Sequence, residues 1–333
     1  METPAPAVRM RRLTKVYEPS PPWMRLLTRS ASRARNVALQ SVDLDVATGT
    51  ICAVVGPNGA GKSTMFRLLM GLTTPTSGSA HVLGLDCSVR AESRRMPIGF
   101  MPADERSLFL RLTAYENLAF QASLRGYGGQ RLEDRVAESL EMVGLSGARD
   151  TAAFALSSGM KARLQLARAM VHEPKVLILD EPTSTVDPVA ADDLLALIQR
   201  LTAEQSLAVM LSSHRLEEID ALDEKVILLD DGRVVFEGDL RELRRIAVVT
   251  EVALEFDGTA AADAVAASLE AQPWTRELSV RGRVVELVAT EPIGTVLAAV
   301  GPHASSIVHV DERSSSTRSL LREVYASSRG AAG

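Results

Sequence analysis

The amino-acid sequence predicts an α/β fold in which a mainly parallel sheet lies between helices, and three observations support this class. Continuous apolar runs such as ICAVV (51–55) and KVLILD (175–180) alternate with helical patterns. Such runs are typical of strands that are buried on both faces. The segment 105–155 shows only helical patterns, which indicates a helical subdomain inserted in the core. The pattern changes again near residue 245, so we expect two domains, 1–245 and 246–333.

Composition and charge argue against several classes of partner. The 333 residues are 46% hydrophobic and 24% charged, as in ordinary globular domains. Aromatic residues make up only 4%, too few for a base-stacking surface, and the net charge of −5 does not attract polyanions. We therefore expect no specific nucleic-acid partner. Cys52 and Cys87 do not support a disulfide framework, which favours a reducing cytoplasm.

The sequence contains no segment that predicts insertion in a membrane. The first ten residues, METPAPAVRM, have no apolar signal core, and no run approaches 18 consecutive apolar residues. If the chain acts at a membrane, we expect another polypeptide to hold it there.

Residues 18–36 interrupt an expected hairpin with a basic, proline-rich insertion. The motif EPSPP cannot form a strand interior, because proline donates no ladder hydrogen bond. Trp23 follows it, together with four arginines: Arg25, Arg29, Arg33 and Arg35. Two interpretations stay open, a solvated loop or a contact with a membrane partner or anionic headgroups.

A glycine-rich motif follows the strand 51–55 and precedes a helical pattern. GPNGAGKST satisfies G-x-x-x-x-G-K-[ST], the pattern of loops that hold phosphate groups with backbone N–H groups and a helix N-terminus. We expect Lys62 to reach the β- and γ-phosphates of a nucleotide and Ser63 to bind Mg²⁺. The candidate residues of this loop are Gly56, Pro57, Asn58, Gly59, Ala60, Gly61, Lys62, Ser63 and Thr64.

The helical subdomain is predicted from a start signal and from apolar stripes. Thr113 and Glu116 form a capping-box pattern, in which each residue satisfies a backbone N–H group of the other. Two stripes at helical spacing follow, the second of them formed by Leu132, Val136, Leu140 and Val143.

The apolar strand in VLILDEPT (176–183) ends in two acids. Carboxylates at the carboxyl end of a buried parallel strand lie where such sheets bind ligands, beside the glycine-rich loop. We expect Asp180 to hold Mg²⁺, mostly through water, and Glu181 to polarise the attacking water. Further along, KVILLDDGRVVFEG predicts a hairpin with its turn at Asp231 and Gly232.

The segment 246–333 predicts a small α+β domain with a ferredoxin-like arrangement. Strands and helices follow in the order βαββαβ, beginning with the strand TEVALEF (250–256), and an additional final helix is expected near 315–326. It contains no catalytic motif, and we interpret it as a regulatory or dimer-supporting domain.

The segment ALSSGMKARLQLARAM (155–170), just before the acidic strand, distinguishes the chain from other proteins with a phosphate-binding loop of this kind. Here the sequence resembles the ABC-type ATPases, whose signature begins Leu-Ser-Gly-Gly-Gln. The resemblance implies that a signature motif contacts the ATP of an opposite subunit through four residues, Ser157, Ser158, Gly159 and Met160. Ser158 and Met160 depart from the pattern, and a Met at the fifth position resembles a subset of bacterial exporters.

Other elements of the family pattern follow in order. STVDP (184–188) matches the loop whose Asp187 would cross the dimer interface, and His214 matches the switch histidine near the γ-phosphate. Tyr17 matches the aromatic residue that stacks on adenine, although Trp23 is a rival for that position.

The segment GFMPADERSLF (99–109) departs from the family, because Ala103 stands where the family carries a Gln that touches Mg²⁺ and water. Asp104 or Glu105 would be able to substitute as a metal ligand; alternatively, both are solvated acids that pair with Arg106. The next residues lie where the family contacts a permease, so we expect Leu108, Phe109 and Leu110 to be exposed.

The resemblance covers residues 8–245 and implies a fold, an activity and partners. The fold would be a P-loop NTPase of the ABC cassette type, with a RecA-like core, an antiparallel β subdomain and the inserted helical subdomain. Two cassettes would enclose two ATP molecules with Mg²⁺, and hydrolysis would reopen the dimer. We expect a homodimer that powers an exporter from the cytoplasmic face of the cell membrane, with the permease on a separate chain.

Three other functions are weighed against this one. The first is a non-transport ABC ATPase that acts on ribosomes or nucleic acid, and the second is a P-loop small-molecule kinase. The third is a catalytically weak cassette of a heterodimer. A single cassette without a heptad run speaks against the first, and the signature speaks against the second. The sequence does not name the transported substrate.

Overall fold

The computed structural model describes residues 5–19, 35–90, 97–104, 107–213, 222, 225–246, 250–313 and 324. Its contacts divide the chain into two compact units, Met1–Glu237 and Gly238–Gly333. Among the described residues, no helix is long and apolar enough to cross a membrane. Several predictions fall outside these ranges: Glu105, Arg106, His214, Trp23 with most of the 18–36 insertion, and nearly all of the final helix.

The first unit contains ten strands and five α-helices within its described part. The strands are β1 (Val8–Tyr17), β2 (Asn36–Val46), β3 (Ile51–Val55), β4 (Ser77–Val82), β5 (Leu85–Asp86), β6 (Ile98–Met101), β7 (Val176–Asp180), β8 (Ala208–Ser213), β9 (Lys225–Asp230) and β10 (Arg233–Gly238). The helices are α1 (Lys62–Leu69), α2 (Ala114–Leu124), α3 (Gly129–Met142), α4 (Ser158–Met170) and α5 (Pro188–Gln205).

The larger sheet of this unit has the strand order β10-β9-β3-β8-β7-β6. Strand β3 pairs in parallel with β8 and β9, and β7 pairs in parallel with β6 and β8. The predicted parallel sheet is therefore confirmed. The hairpin of β9 and β10 turns at Asp231 (φ 45°) and Gly232 (φ 77°), as predicted, and positive φ at both residues suits the right-handed twist of the strands.

A second sheet, in the order β2-β1-β4-β5, forms the antiparallel β subdomain. Strands β1 and β2 pair from Val8 opposite Val46 to Tyr17 opposite Asn36. The hairpin that the insertion interrupts is thus present in the structure, with Tyr17 at its last pair.

Two cores lie on opposite faces of the parallel sheet, because successive side chains of a strand point in opposite directions. On one face, Val54, Ile178 and Met210 pack with α1 and with the antiparallel sheet. On the other face, Leu179 and Leu211 pack with the helices α2 to α5. Each buried strand is therefore apolar on both sides until it reaches its carboxyl end.

The helix α2 begins at the predicted capping box. Thr113 Oγ1 accepts a hydrogen bond from the N–H group of Glu116 (3.1 Å), and Glu116 Oε2 accepts one from the N–H group of Thr113 (2.8 Å). The expectation that residues 108–110 are all exposed is wrong for Leu108, which is buried in the core under the helices. Phe109 and Leu110 are exposed, as expected.

Asn117 on α2 is fully buried and closes the loop that leads into this helix. Its Oδ1 accepts a hydrogen bond from the N–H group of Phe109 (2.9 Å). Its Nδ2 lies 3.1, 3.3 and 3.0 Å from the carbonyl oxygens of Phe109, Leu112 and Thr113. One buried amide thus links three residues of the loop to the first turn of α2.

The second unit contains α6 (Leu240–Ile246), β11 (Thr250–Phe256), α7 (Thr259–Glu270), β12 (Thr275–Arg281), β13 (Val284–Ala289), α8 (Ile293–Val300) and β14 (Ile307–Arg313). The strand order is β12-β13-β11-β14, and all neighbours are antiparallel. This order confirms the predicted ferredoxin-like arrangement. Its core lies between the sheet and the helices α7 and α8.

The Asn117→Ala variant is expected to lower the free energy of unfolding by about 2 kcal/mol, because it empties a fully buried position and removes the acceptor of the Phe109 N–H group. Urea unfolding followed by circular dichroism measures this change. The control is Gln130→Ala, which removes an exposed amide from α3 and is expected to cost under about 0.5 kcal/mol. Equal losses in the two variants would contradict the role given to Asn117.

Candidate nucleotide-binding site

The glycine-rich loop connects β3 to α1, and its backbone requires glycine at two positions. A Cβ atom at Gly56 would lie 2.3 Å from the carbonyl oxygen of Leu229. At Gly61, the N-cap of α1, a Cβ atom would lie 2.3 Å from the carbonyl oxygen of Ala38, and φ is +112°. The loop therefore packs closely against neighbouring backbone, and the N–H groups at the start of α1 remain available for an anion.

Lys62 is buried at the base of this loop, although lysine is rarely buried. Its Nζ donates hydrogen bonds to the carbonyl oxygens of Gly56 (2.6 Å) and Pro57 (3.3 Å). Burial lowers the pKa of Lys62, while the nearby carboxylates of Glu181 and Asp180 act in the opposite direction. The side chain is thus held beside the loop by the loop's own carbonyl groups.

A pocket of about 230 Å³ opens at this loop. It is lined by Asn36, Ala38, Pro57, Asn58, Gly59, Ala60, Gly61, Lys62, Ser63, Thr64 and Glu181. The structure thus brings the predicted phosphate loop and the predicted base into one cavity. A cationic amine and the amino end of a helix make this cavity suitable for a phosphate chain.

Ser63 and Asp180 meet at the edge of the pocket. Ser63 Oγ donates a hydrogen bond to Asp180 Oδ2 (3.1 Å), although the two residues are 117 positions apart. A hydroxyl and a carboxylate oxygen are hard donors of the kind that Mg²⁺ prefers. This donor set, beside a loop built for phosphate, fits the predicted metal site.

Glu181 follows Asp180 with a left-handed backbone conformation, φ 48°. Its N–H group donates to Ser212 Oγ (2.9 Å) and also lies 3.2 Å from the carbonyl oxygen of Ser212. The hydroxyl of Ser212 donates to Asp180 Oδ1 (2.7 Å). Ser212 is a site residue that the sequence analysis missed, because its place beside Asp180 depends on which strands are neighbours.

The predicted signature residues lie at the start of α4. Ser157 is the N-cap, and its Oγ accepts a hydrogen bond from the N–H group of Met160 (3.2 Å). A Cβ atom at Gly159 would lie 2.8 Å from the Cβ atom of Ala190 on α5. Asp187 caps α5 by accepting a hydrogen bond from the N–H group of Ala190 (3.1 Å). The signature and the Asp187 loop are therefore in close contact, and their trans role remains a prediction.

The loop after β6 carries Ala103 and Asp104, and both residues are exposed. Ser184 Oγ donates to the carbonyl oxygen of Ala103 (3.2 Å), and Gln165 Nε2 donates to that of Asp104 (2.7 Å). Within the described part of the chain, neither residue lines the pocket. The substitution of the missing Gln by Asp104 stays a prediction.

Tyr17 is half-buried at the end of β1, where the Nζ atom of Lys15 lies 5.0 Å from its ring centroid. Its strand partner Asn36 lines the pocket, but Tyr17 is not among the described lining residues. Its predicted stacking on adenine therefore also stays a prediction.

A family model described as "ABC transporter" matches residues 39–184. The Bacillus subtilis protein named uncharacterized ABC transporter ATP-binding protein YxlF is 36% identical over 208 residues, 62% of this chain and 68% of that protein. The methionine import ATP-binding protein MetN of Geobacillus kaustophilus is 34% identical over 243 residues, which are 72% of this chain and 67% of that protein. The daunorubicin/doxorubicin resistance ATP-binding protein DrrA of Streptomyces peucetius is 36% identical over 207 residues, 62% of each chain.

Solved structures agree with these relatives. The chain is similar to cbiO1 of Clostridium perfringens, described as part of the ABC transporter complex cbiONQ, with 25% identity and a TM-score of 0.61 over 73% of this chain and 94% of that chain. The dimeric bacterial ABC transporter cassette MJ0796 has 26% identity and a TM-score of 0.60, and the match covers 70% of this chain and 99% of that chain. The chain belongs to the ATP-binding subunits of ABC transporters, ATPases in which hydrolysis of ATP is coupled to transport.

Proposed function

We propose that this chain is the ATP-hydrolysing subunit of an exporter whose permease is a separate polypeptide. One observation carries the catalytic part of the proposal. The phosphate loop (56–64) and the adjacent acids Asp180 and Glu181 come together at one pocket from two distant parts of the chain, and the Ser63–Asp180 hydrogen bond joins them. We infer that a homodimer of such cassettes acts at the cytoplasmic face of the membrane.

The reaction follows from these positions. Lys62 and the N–H groups of the loop bind the phosphate oxygens of ATP, and Ser63 and Asp180 provide oxygen ligands for Mg²⁺. The bound Mg²⁺ would neutralise charge on the phosphates. Glu181 accepts a proton from the attacking water while the water oxygen bonds to the γ-phosphorus. The bond between the γ-phosphorus and the β–γ bridging oxygen breaks, and ADP leaves with its electron pair.

A surface beside the loop after β6 supports a contact with the permease. A pocket of about 250 Å³ lies here, and its lining includes Phe100, Arg125 and Arg168. The exposed aromatic residues Phe109 and Phe120 stack edge to face, with ring centroids 5.0 Å apart. Exposed aromatic rings beside guanidinium groups suit a protein partner better than water.

Export is proposed on the resemblance of the signature, in which Met160 replaces Gln, and on the similarity to DrrA. Import is the second candidate, because several relatives are named methionine import proteins. The direction of transport therefore requires an experiment of its own.

The Lys62→Ala variant is expected to weaken ATP binding by about 10-fold or more, since charge-assisted hydrogen bonds to phosphate are lost. Calorimetric titration with a non-hydrolysable ATP analogue measures this affinity. The control is Lys175→Ala, which removes an exposed lysine just before β7 and is expected to leave the affinity unchanged. Unaltered affinity and full ATPase activity in Lys62→Ala would reject the role of the loop.

The Glu181→Gln variant is expected to lower kcat by about 100-fold or more, because the amide cannot accept the proton from water. ATP binding should persist, so the variant should accumulate as an ATP-bound dimer, which size-exclusion chromatography detects. The control is Glu173→Gln, a highly exposed carboxylate outside the site that pairs with Arg135. Hydrolysis at the wild-type rate by Glu181→Gln would show that the base is elsewhere.

The tagged chain, purified from detergent-extracted membranes, is expected to bring with it a protein with several membrane-spanning helices. Inside-out vesicles that contain this complex should accumulate daunorubicin in the presence of ATP if the cargo is a drug of the kind to which DrrA is named a resistance protein. The Lys62→Ala complex is the control. Recovery of ribosomes alone would contradict transport, and methionine uptake that depends on Lys62 would replace export by import.

A further inference from the structure

We propose that Ser212 is a positioning residue that holds Asp180 and Glu181 in place through one hydroxyl group. This inference rests on the proposed function, because it assigns a task to a neighbour of the two acids. Ser212 does not line the pocket within the described part of the chain, so it acts through the Asp180 carboxylate and the Glu181 backbone.

The parallel sheet brings Ser212 to this position. Strand β8 lies between β3 and β7, and its Ser212 is opposite Val54 on one side and Asp180 on the other. Side chains in one row of a parallel sheet point to the same face. Ile178 and Met210, two residues earlier on their strands, pack on the face that α1 covers. Ser212 and Asp180 therefore project toward the start of α1, where Ser63 lies.

The hydroxyl of Ser212 is used twice. It donates its hydrogen to Asp180 Oδ1 (2.7 Å) and accepts the N–H group of Glu181 (2.9 Å). The side chain is fully buried, so water does not replace either bond. The second oxygen of Asp180 accepts from Ser63 (3.1 Å) and thus faces the predicted metal site. One hydroxyl therefore fixes the rotation of one carboxylate and the backbone of the next residue.

The backbone of Glu181 gives a reason for such support. A residue other than glycine with φ 48° is strained, and such conformations persist only where neighbouring groups impose them. The two contacts from its N–H group to Ser212 impose this conformation at the point where the Glu181 side chain begins. A small rotation here would displace the carboxylate from the attacking water, and such displacements reduce catalysis strongly.

The test compares Ser212→Ala with Ser212→Thr, which keeps a hydroxyl. The control is Thr202→Val, which removes a buried hydroxyl that bonds to the carbonyl oxygen of Ile198 (2.8 Å) on α5. Thermal unfolding establishes that each variant is folded. Two quantities are then measured: kcat with saturating ATP, and the affinity for a non-hydrolysable ATP analogue as a function of Mg²⁺ concentration.

We expect Ser212→Ala to lower kcat by about 10-fold or more and to raise the Mg²⁺ concentration at half-maximal effect on binding by about 10-fold, as for other supporting residues of metal ligands. Affinity for the analogue without Mg²⁺ should not change, because the phosphate loop is intact. Ser212→Thr should have a kcat and a Mg²⁺ dependence close to those of the wild type, because it keeps the hydroxyl. Thr202→Val should resemble the wild type in both.

Wild-type kcat and Mg²⁺ dependence in folded Ser212→Ala would overturn the inference, as would equal effects in Thr202→Val. The Glu181→Gln variant, measured in parallel, separates this result from a failure of the proposed function. If Glu181→Gln is inactive and Ser212→Ala is normal, only the role of Ser212 is wrong. If Glu181→Gln is fully active, the assignment of the base is wrong.

Discussion

The site depends on the parallel register of three neighbouring strands. Val54, Ser212 and Asp180 form one row across β3, β8 and β7, and each of these strands ends within a few residues of that row. The register places the loop after β3 beside the acids after β7, since parallel strands end at the same edge. The hydrogen bond between Ser63 and Asp180 is the direct result of this alignment.

Much of this arrangement could be predicted from sequence, because its signals are local. The phosphate loop requires only a strand, a glycine pattern and a helix in succession, and the capping box of α2 requires only Thr113 and Glu116. Ser212 could not be recognised in this way, because its role depends on a hydrogen bond to Asp180, which lies 32 residues away in the sequence and on a neighbouring strand. The prediction that Leu108 is exposed fails for a similar reason, since its loop sequence does not show that helices cover it.

The loop after β6 is hydrogen-bonded to the segment after β7 and to α4, although it has Ala103 where the family pattern has Gln. Ser184 follows the two acids and bonds to the carbonyl oxygen of Ala103, while Gln165 on α4 bonds to that of Asp104. Arg168, also on α4, donates to the carbonyl oxygen of Ser107. These bonds use backbone oxygens, so they do not depend on the side chain at position 103. The loop is therefore joined both to the segment after the acidic strand and to α4 through its own backbone.

The start of the signature helix is connected to the same acidic segment by packing. Gly159 lies so close to Ala190 that a Cβ atom would collide, and Asp187 caps the helix on which Ala190 lies. Asp187 lies six positions after Glu181 along the chain, and Ser184 between them bonds to the loop after β6. Interiors packed this closely have low compressibility, so the contact between Gly159 and Ala190 provides a physical link between the acidic segment and the predicted signature. If the signature has the trans role proposed for it, this link connects the acids at one ATP site with the contact that the same chain makes to the ATP of the opposite subunit.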